Sequence, residues 1–276
     1  MKKIIVPIDF SKHSEYALKA AASLARKNNA EIIVLNMLEM SEIMLTSTGS
    51  DQKERTMFFY KLAEQQLSTF LNKEYLENIK ITPIIKHFKV FSEVNDVAAK
   101  HNADLIVMGS HGANGVKEFV LGSNTERVVR YSNIPVLVVK NELSTTDFKN
   151  VVFACDFNDD TMASYSNVIK MFDHSQINLV YVNLPNDRFK STPEIEESVD
   201  KFLMKADGNL KRRNDVHFVC DYTIENGIIN FSKKVKADII AIPTHGRKGI
   251  ALFLEGSVGE DIVNHATLPV MTFKVD

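Results

Sequence analysis

Apolar and polar positions along the chain follow two alternating periods. Short runs rich in branched apolar residues lie at Lys3 to Ile8 (KIIVPI), Glu31 to Met37 (EIIVLNM), Ile81 to Phe88, Asp104 to Met108 and Val136 to Val139. Their length and composition predict buried strands. Between them, apolar residues recur every three or four positions. Ala17, Leu18, Ala21, Leu24 and Ala25 give the first such stretch one apolar face, with Ser11 or Ser14 placed to cap it. Lys53 to about Glu77 predicts a long second helix, on which Leu62, Gln66, Leu67, Phe70 and Leu71 fall on more than one face. Phe91 to His101 and Asn124 to Tyr131 predict two more. Strands alternating with helices point to a parallel sheet covered on both faces. Residues 40–52 are polar and irregular.

After the polar stretch 141–149 (NELSTTDFK) the same plan starts again. KIIVPIDFS is answered by NVVFACDFN, which sets Asp156 where Asp9 stood, and IIVLNM by LVYVNL, which aligns Asn36 with Asn183. Later, ADLIVMGSHG is answered by ADIIAIPTHG and NIPVLVV by TLPVMTF. The second copy is shorter, mostly between its second and third strands. So long a period means two domains rather than a solenoid. The expected division is a domain at 1–140, a linker at 141–149 and a second domain at 150–276.

Composition narrows the function class. A net charge of −2 gives no reason to expect a nucleic acid or an acidic membrane as partner. No apolar run approaches the roughly 20 residues that span a bilayer, and the N-terminus reaches an acid too early for a signal-peptide core. A cytoplasmic protein is expected. The two cysteines, Cys155 and Cys220, have no metal-ligand spacing and follow strand periodicity, so both are expected to be buried and inert.

The candidate chemistry lies between the fourth strand and the helix that follows. Gly109 and Gly112 come directly after the strand, and Gly122-Ser123 opens the helix. Glycines let backbone approach a phosphate, and unpaired N–H groups at a helix start point at it, with the Ser123 hydroxyl as cap or donor. The spacing is neither GxGxxG nor the Walker pattern. Glycines after a strand also serve as plain turn formers. No carboxylate pair stands near this loop, and His111 alone is a poor general base, so no hydrolytic apparatus is evident.

Gly109-x2-Gly112-x9-Gly122-Ser123, the Pro7-x-Asp9-x-Ser11 end of the first strand, the Ser-His-Gly after the fourth and the PVLVV of the fifth occur together in a duplicated chain. In these features the chain resembles the universal stress proteins in tandem form, over nearly its whole length. The resemblance implies an α/β fold of two tandem open five-stranded parallel sheets in the order 3-2-1-4-5, of the adenine nucleotide alpha hydrolase-like type. The ends of strands one and four would then flank one crevice at the switch point. It also implies ATP as ligand, with Mg2+ arriving on the nucleotide. The backbone of Pro7, Ile8 and Asp9 and that of Met37 would hold adenine, with Asp9 near the nucleoside. Gly109, Gly112, Gly122, Ser123 and Asn124 would wrap the phosphates, and Met108, His111 and Thr125 complete the expected contacts.

In the second copy Pro243 replaces the first glycine, which removes a donor and fixes φ, so that half is read as degenerate for triphosphate. The expected function is an ATP-binding sensor or regulator in stress response, with an unidentified regulatory protein as partner. The alternative is a nucleotide-independent interaction module of the same fold. The apolar fifth strands, VLVV and VMTF, lack the lysines that protect open edges, so the halves are expected to pair through them as an intramolecular pseudo-dimer, with a homodimer of chains as a further option.

Overall fold

Branched apolar runs become strands in both halves of the computed structural model, which describes residues 1–38, 50–87, 90–110, 122–186, 189–245 and 258–275. The chain divides into two compact units, one centred on its N-terminal half and the other on its C-terminal half. The N-terminal half comprises β1 (Lys3–Ile8), α1 (Lys12–Asn28), β2 (Glu31–Leu38), α2 (Ser50–Leu71), β3 (Ile81–His87), α3 (Val90–His101), β4 (Leu105–Gly109), α4 (Ser123–Tyr131) and β5 (Val136–Val139). The C-terminal half repeats the series as β6 (Asn150–Ala154), α5 (Met162–Met171), β7 (Gln176–Asn183), α6 (Thr192–Asp207), β8 (Val216–Cys220), α7 (Ile224–Lys234), β9 (Ile239–His245), α8 (Val258–His265) and β10 (Val270–Val275).

Strand order is β3-β2-β1-β4-β5 in the first half and β8-β7-β6-β9-β10 in the second, so both follow 3-2-1-4-5. β1 runs parallel to β2 and to β4, with Lys3 opposite Glu31 and Ile4 opposite Leu105. Central strands covered on both faces carry no polar alternation: Ile4, Ile5, Val6, Leu105, Ile106 and Val107 are all fully buried. One carboxylate fixes the start of each central pair. Asp104 Oδ2 accepts the backbone N–H groups of Lys2 and Lys3, and Asp238 Oδ2 accepts those of Lys149 and Asn150.

Two sequence expectations change. The second helix does not run to Glu77: Lys73 is extended (φ −133°, ψ 136°), so α2 stops at Leu71 and a separate 3-10 turn, Glu74–Leu76, follows. On α2, Ala63 and Leu67 are buried while Leu62 is 40 % exposed. The two cysteines also part company. Cys155 is buried, but Cys220 is exposed because it ends β8, the outermost strand of its sheet.

Candidate functional site

The turn from β1 into α1 is built from Asp9, Phe10 and Ser11. Asp9 is exposed, and its Oδ1 accepts the Ser11 N–H at 3.0 Å. Ser11 in turn caps α1 by accepting from the Ser14 N–H. Between them Phe10 is held at φ 63°, a left-handed conformation that bulky residues avoid. Packing holds it there: its ring meets Phe70 of α2 edge-on, with centroids 5.5 Å apart.

The second half repeats this turn. Asp156 Oδ1 accepts the Asn158 N–H, Phe157 sits at φ 57°, and its ring meets Phe202 of α6 edge-on at 5.5 Å. An ion pair stands beside each contact, Lys73 with Glu15 at 3.5 Å and Lys205 with Asp159 at 2.7 Å. The sequence carries the matching signal, Phe70-Leu71-x-Lys73 against Phe202-Leu203-x-Lys205, which periodicity alone does not pick out.

The two aspartates differ in what surrounds them. Asp156 is only 6 % exposed, and its Oδ2 also accepts from the Asn158 side chain at 2.7 Å. Phe157 stacks on Tyr181, whose other contact is the Lys190 ammonium 5.9 Å from its ring centre. Tyr181 stands where the first half has Val34, and Tyr165 where it has Leu18. Thus aromatic bulk covers the second turn, while Asp9 opens to solvent.

Asn36 and Asn183 diverge in the same way. Asn183 grips the backbone of Lys190 through both ends of its amide. Asn36, 2 % exposed, donates Nδ2 to the Ile8 carbonyl, and its Oδ1 has no partner among the described residues.

β4 ends beside this turn. Gly109 is buried, and a Cβ on it would fall 2.8 Å from the backbone of His13. Its missing side chain therefore makes room for the first turn of α1. The Gly122 N–H donates to the Ser110 carbonyl at 2.8 Å, and the buried Thr125 hydroxyl donates to the Gly109 carbonyl at 2.9 Å. These two bonds set the start of α4 against the end of β4. Asn124 is exposed there, and Arg127 lies one turn on. Pro7, Ile8 and Met108 are buried, so their backbone is what they offer, and Met37 is half-buried. His111 and Gly112 lie outside the described residues, as do Gly246, Gly256 and Ser257 of the second copy; of Ser123 only the backbone is described. Pro243 is buried in β9 opposite Phe273.

The carboxyl ends of β1 and β4 thus lie side by side with the start of α4 and the exposed Asp9 carboxylate, at the switch point where open parallel sheets take their ligands. The family model described as "Universal stress protein family" matches residues 1–140 and again 147–274. The chain belongs to the universal stress protein family. It carries the family's unit twice. A universal stress protein of Methanocaldococcus jannaschii is 35% identical over 159 residues, which span 52% of this chain and 97% of that protein. A putative universal stress protein of Staphylococcus aureus is 29% identical over 153 residues, spanning 54% of this chain and 89% of its own length. The crystal structure of a universal stress protein from Archaeoglobus fulgidus superposes on 99% of this chain and 98% of its own with a TM-score of 0.72, at 22% identity, and so shares the two-unit fold.

Proposed function

We propose that the N-terminal half binds ATP and that the protein acts in stress response as a cytoplasmic sensor or regulator. The observation that supports this reading is the contrast between the two equivalent carboxylates, Asp9 open at the switch point and Asp156 buried under its own half. Ligands in open parallel sheets lie at the carboxyl ends of the strands, where the order reverses. Asp9 is there, one strand from the end of β4. The backbone of Pro7 to Asp9 and Met37 would hold the adenine and nucleoside. The N-terminal turn of α4, with Gly122 and Asn124, would take the phosphates, whose charge suits unpaired N–H groups at a helix start. Gly109 would join them through its backbone, while its missing side chain lets α1 close against β4. Among the described residues no three His, Cys, Asp or Glu side chains converge, so a Mg2+ would be held chiefly by the nucleotide.

Calorimetric titration of ATP into the full chain tests the reading. One ATP per chain is expected, with Gly122→Val and Asp9→Ala weakening binding and Asp156→Ala leaving the stoichiometry unchanged. Equal affinity in wild type and Gly122→Val would end the assignment, and two sites per chain would end the asymmetry.

A further inference from the structure

We propose that α2 is a self-association face, along which two copies of this chain pair antiparallel around Phe58. Among the described residues of the N-terminal half, the three large apolar side chains most open to solvent all stand on this helix: Phe58 at 64 %, Met57 at 58 % and Leu62 at 40 %. Glu54, Phe58, Lys61 and Gln65 follow one another at four and three residues, with Leu62 and Thr69 beside them, and so form one stripe.

The sister helix carries a more charged outer face, on which Met204 is the exposed large apolar residue among the described ones. With Phe70 and Leu71 set on Phe202 and Leu203, the buried positions agree: Ala63 falls on Ile195 and Leu67 on Val199. The outer positions do not agree. Leu62, Gln65 and Thr69 of α2 become Glu194, Glu197 and Lys201 of α6, with Glu197 and Lys201 ion-paired on the helix surface. Met57 and Phe58 have no counterpart on the helix itself, because α6 starts only at Thr192 whereas α2 reaches back to Ser50; in the same register Met57 falls on Phe189, exposed ahead of α6, and Phe58 on Lys190. Met57 and Phe58 thus stand on the extra turns of the longer copy, with Leu62 just beyond them.

Charge selects the occupant. Glu54 and Lys61 are exposed on the stripe, two turns apart with Phe58 between them, and neither has an ion-pair partner among the described residues. When two copies of such a helix cross antiparallel about a two-fold axis near Phe58, Lys61 of each meets Glu54 of the other. The surface is then its own complement, as a two-fold interface requires. Phe58 supplies the buried aromatic anchor. A permanent dimer buries about 800 Å² on each partner, more than one helix face supplies, so this association is weak and concentration-dependent.

Sedimentation of the full chain over a range of about 10 to 500 µM tests it, a window suited to a weak interface. The average mass is expected to climb towards that of two chains. Phe58→Glu should weaken association at least about tenfold. Lys61→Glu alone and Glu54→Lys alone should weaken it by opposing like charges, and the two together should restore it. All three sites are exposed, so the melting temperature should not move. A chain that stays monomeric throughout, association untouched by Phe58→Glu, or a double variant no tighter than either single one would overturn the proposal.

Discussion

Gly109 and His13 touch through their backbones: a Cβ on Gly109 would stand 2.8 Å from the carbonyl carbon and oxygen of His13. The first turn of α1 therefore depends on a residue nearly a hundred positions away that has no side chain. Gly109→Ala should cost about 1–3 kcal/mol, as overpacking at backbone does, read as a lower urea midpoint for the N-terminal half. This loss is expected whether or not a nucleotide is present, which makes Gly122→Val the cleaner probe of binding. In the second half Pro243 occupies the equivalent place, and there a 3-10 turn, Asp159–Thr161, precedes α5.

Asp156 and Asp9 should respond unequally to the same change. Asp156→Ala removes a buried carboxylate that satisfies two donors of Asn158, and should cost about 1–3 kcal/mol. Asp9→Ala acts at an exposed carboxylate, so a smaller loss, less than about 1 kcal/mol, is expected. Chemical denaturation of both variants without ligand checks the order. A larger loss for Asp9→Ala would contradict it.

The two thiols should separate cleanly. Burial pushes the Cys155 thiol up to about 12, helped by the nearby Asp156 charge, so no thiolate forms there in the folded protein. Cys220 is exposed. At about pH 8 a disulfide reagent should titrate one thiol quickly and the second only in denaturant. Cys220→Ser should abolish the fast phase.

Glu31 ties β2 to β3 through Thr82 and Lys80. The Thr82 hydroxyl, and then Lys80, hold its carboxyl below the usual carboxylate range. Since folding lowers this pKa, the stabilisation is full above the unfolded value of about 4.3 and fades as pH falls through the folded one. Glu31→Gln should lower stability by under about 1 kcal/mol near neutral pH. The gap to wild type should close in acid; a gap that widened there would reverse the sign.

Strand and helix positions were legible because the central strands are buried on both faces and so read as unbroken apolar runs, as Ile4 to Val6 and Leu105 to Val107 do; the strand order came from the family resemblance alone. Duplication supplied the second half by comparison. What the sequence concealed was contact at a distance. Gly109 reads as a phosphate glycine, and nothing in the sequence announces that its missing Cβ also makes room for His13. Phe10 reads as an ordinary apolar residue, although its left-handed backbone is sustained by Phe70, sixty positions on. Asp9 and Asp156 are the same letter in the same phrase; their surroundings, with Tyr181 near Asp156 where the first half has Val34, leave one open and the other buried. Lys73 broke the predicted second helix by adopting an extended backbone, which no proline or glycine announced.

The charged outer face of α6 fixes the valence of the chain. A molecule with one self-complementary surface can join one other and then has nothing left to offer, so growth stops at two. Were Glu194, Glu197 and Lys201 apolar or neutral like their counterparts on α2, each chain would have two such surfaces, and pairing would propagate from chain to chain as an open string. Three solvated charges on a duplicated helix thereby act as a terminator.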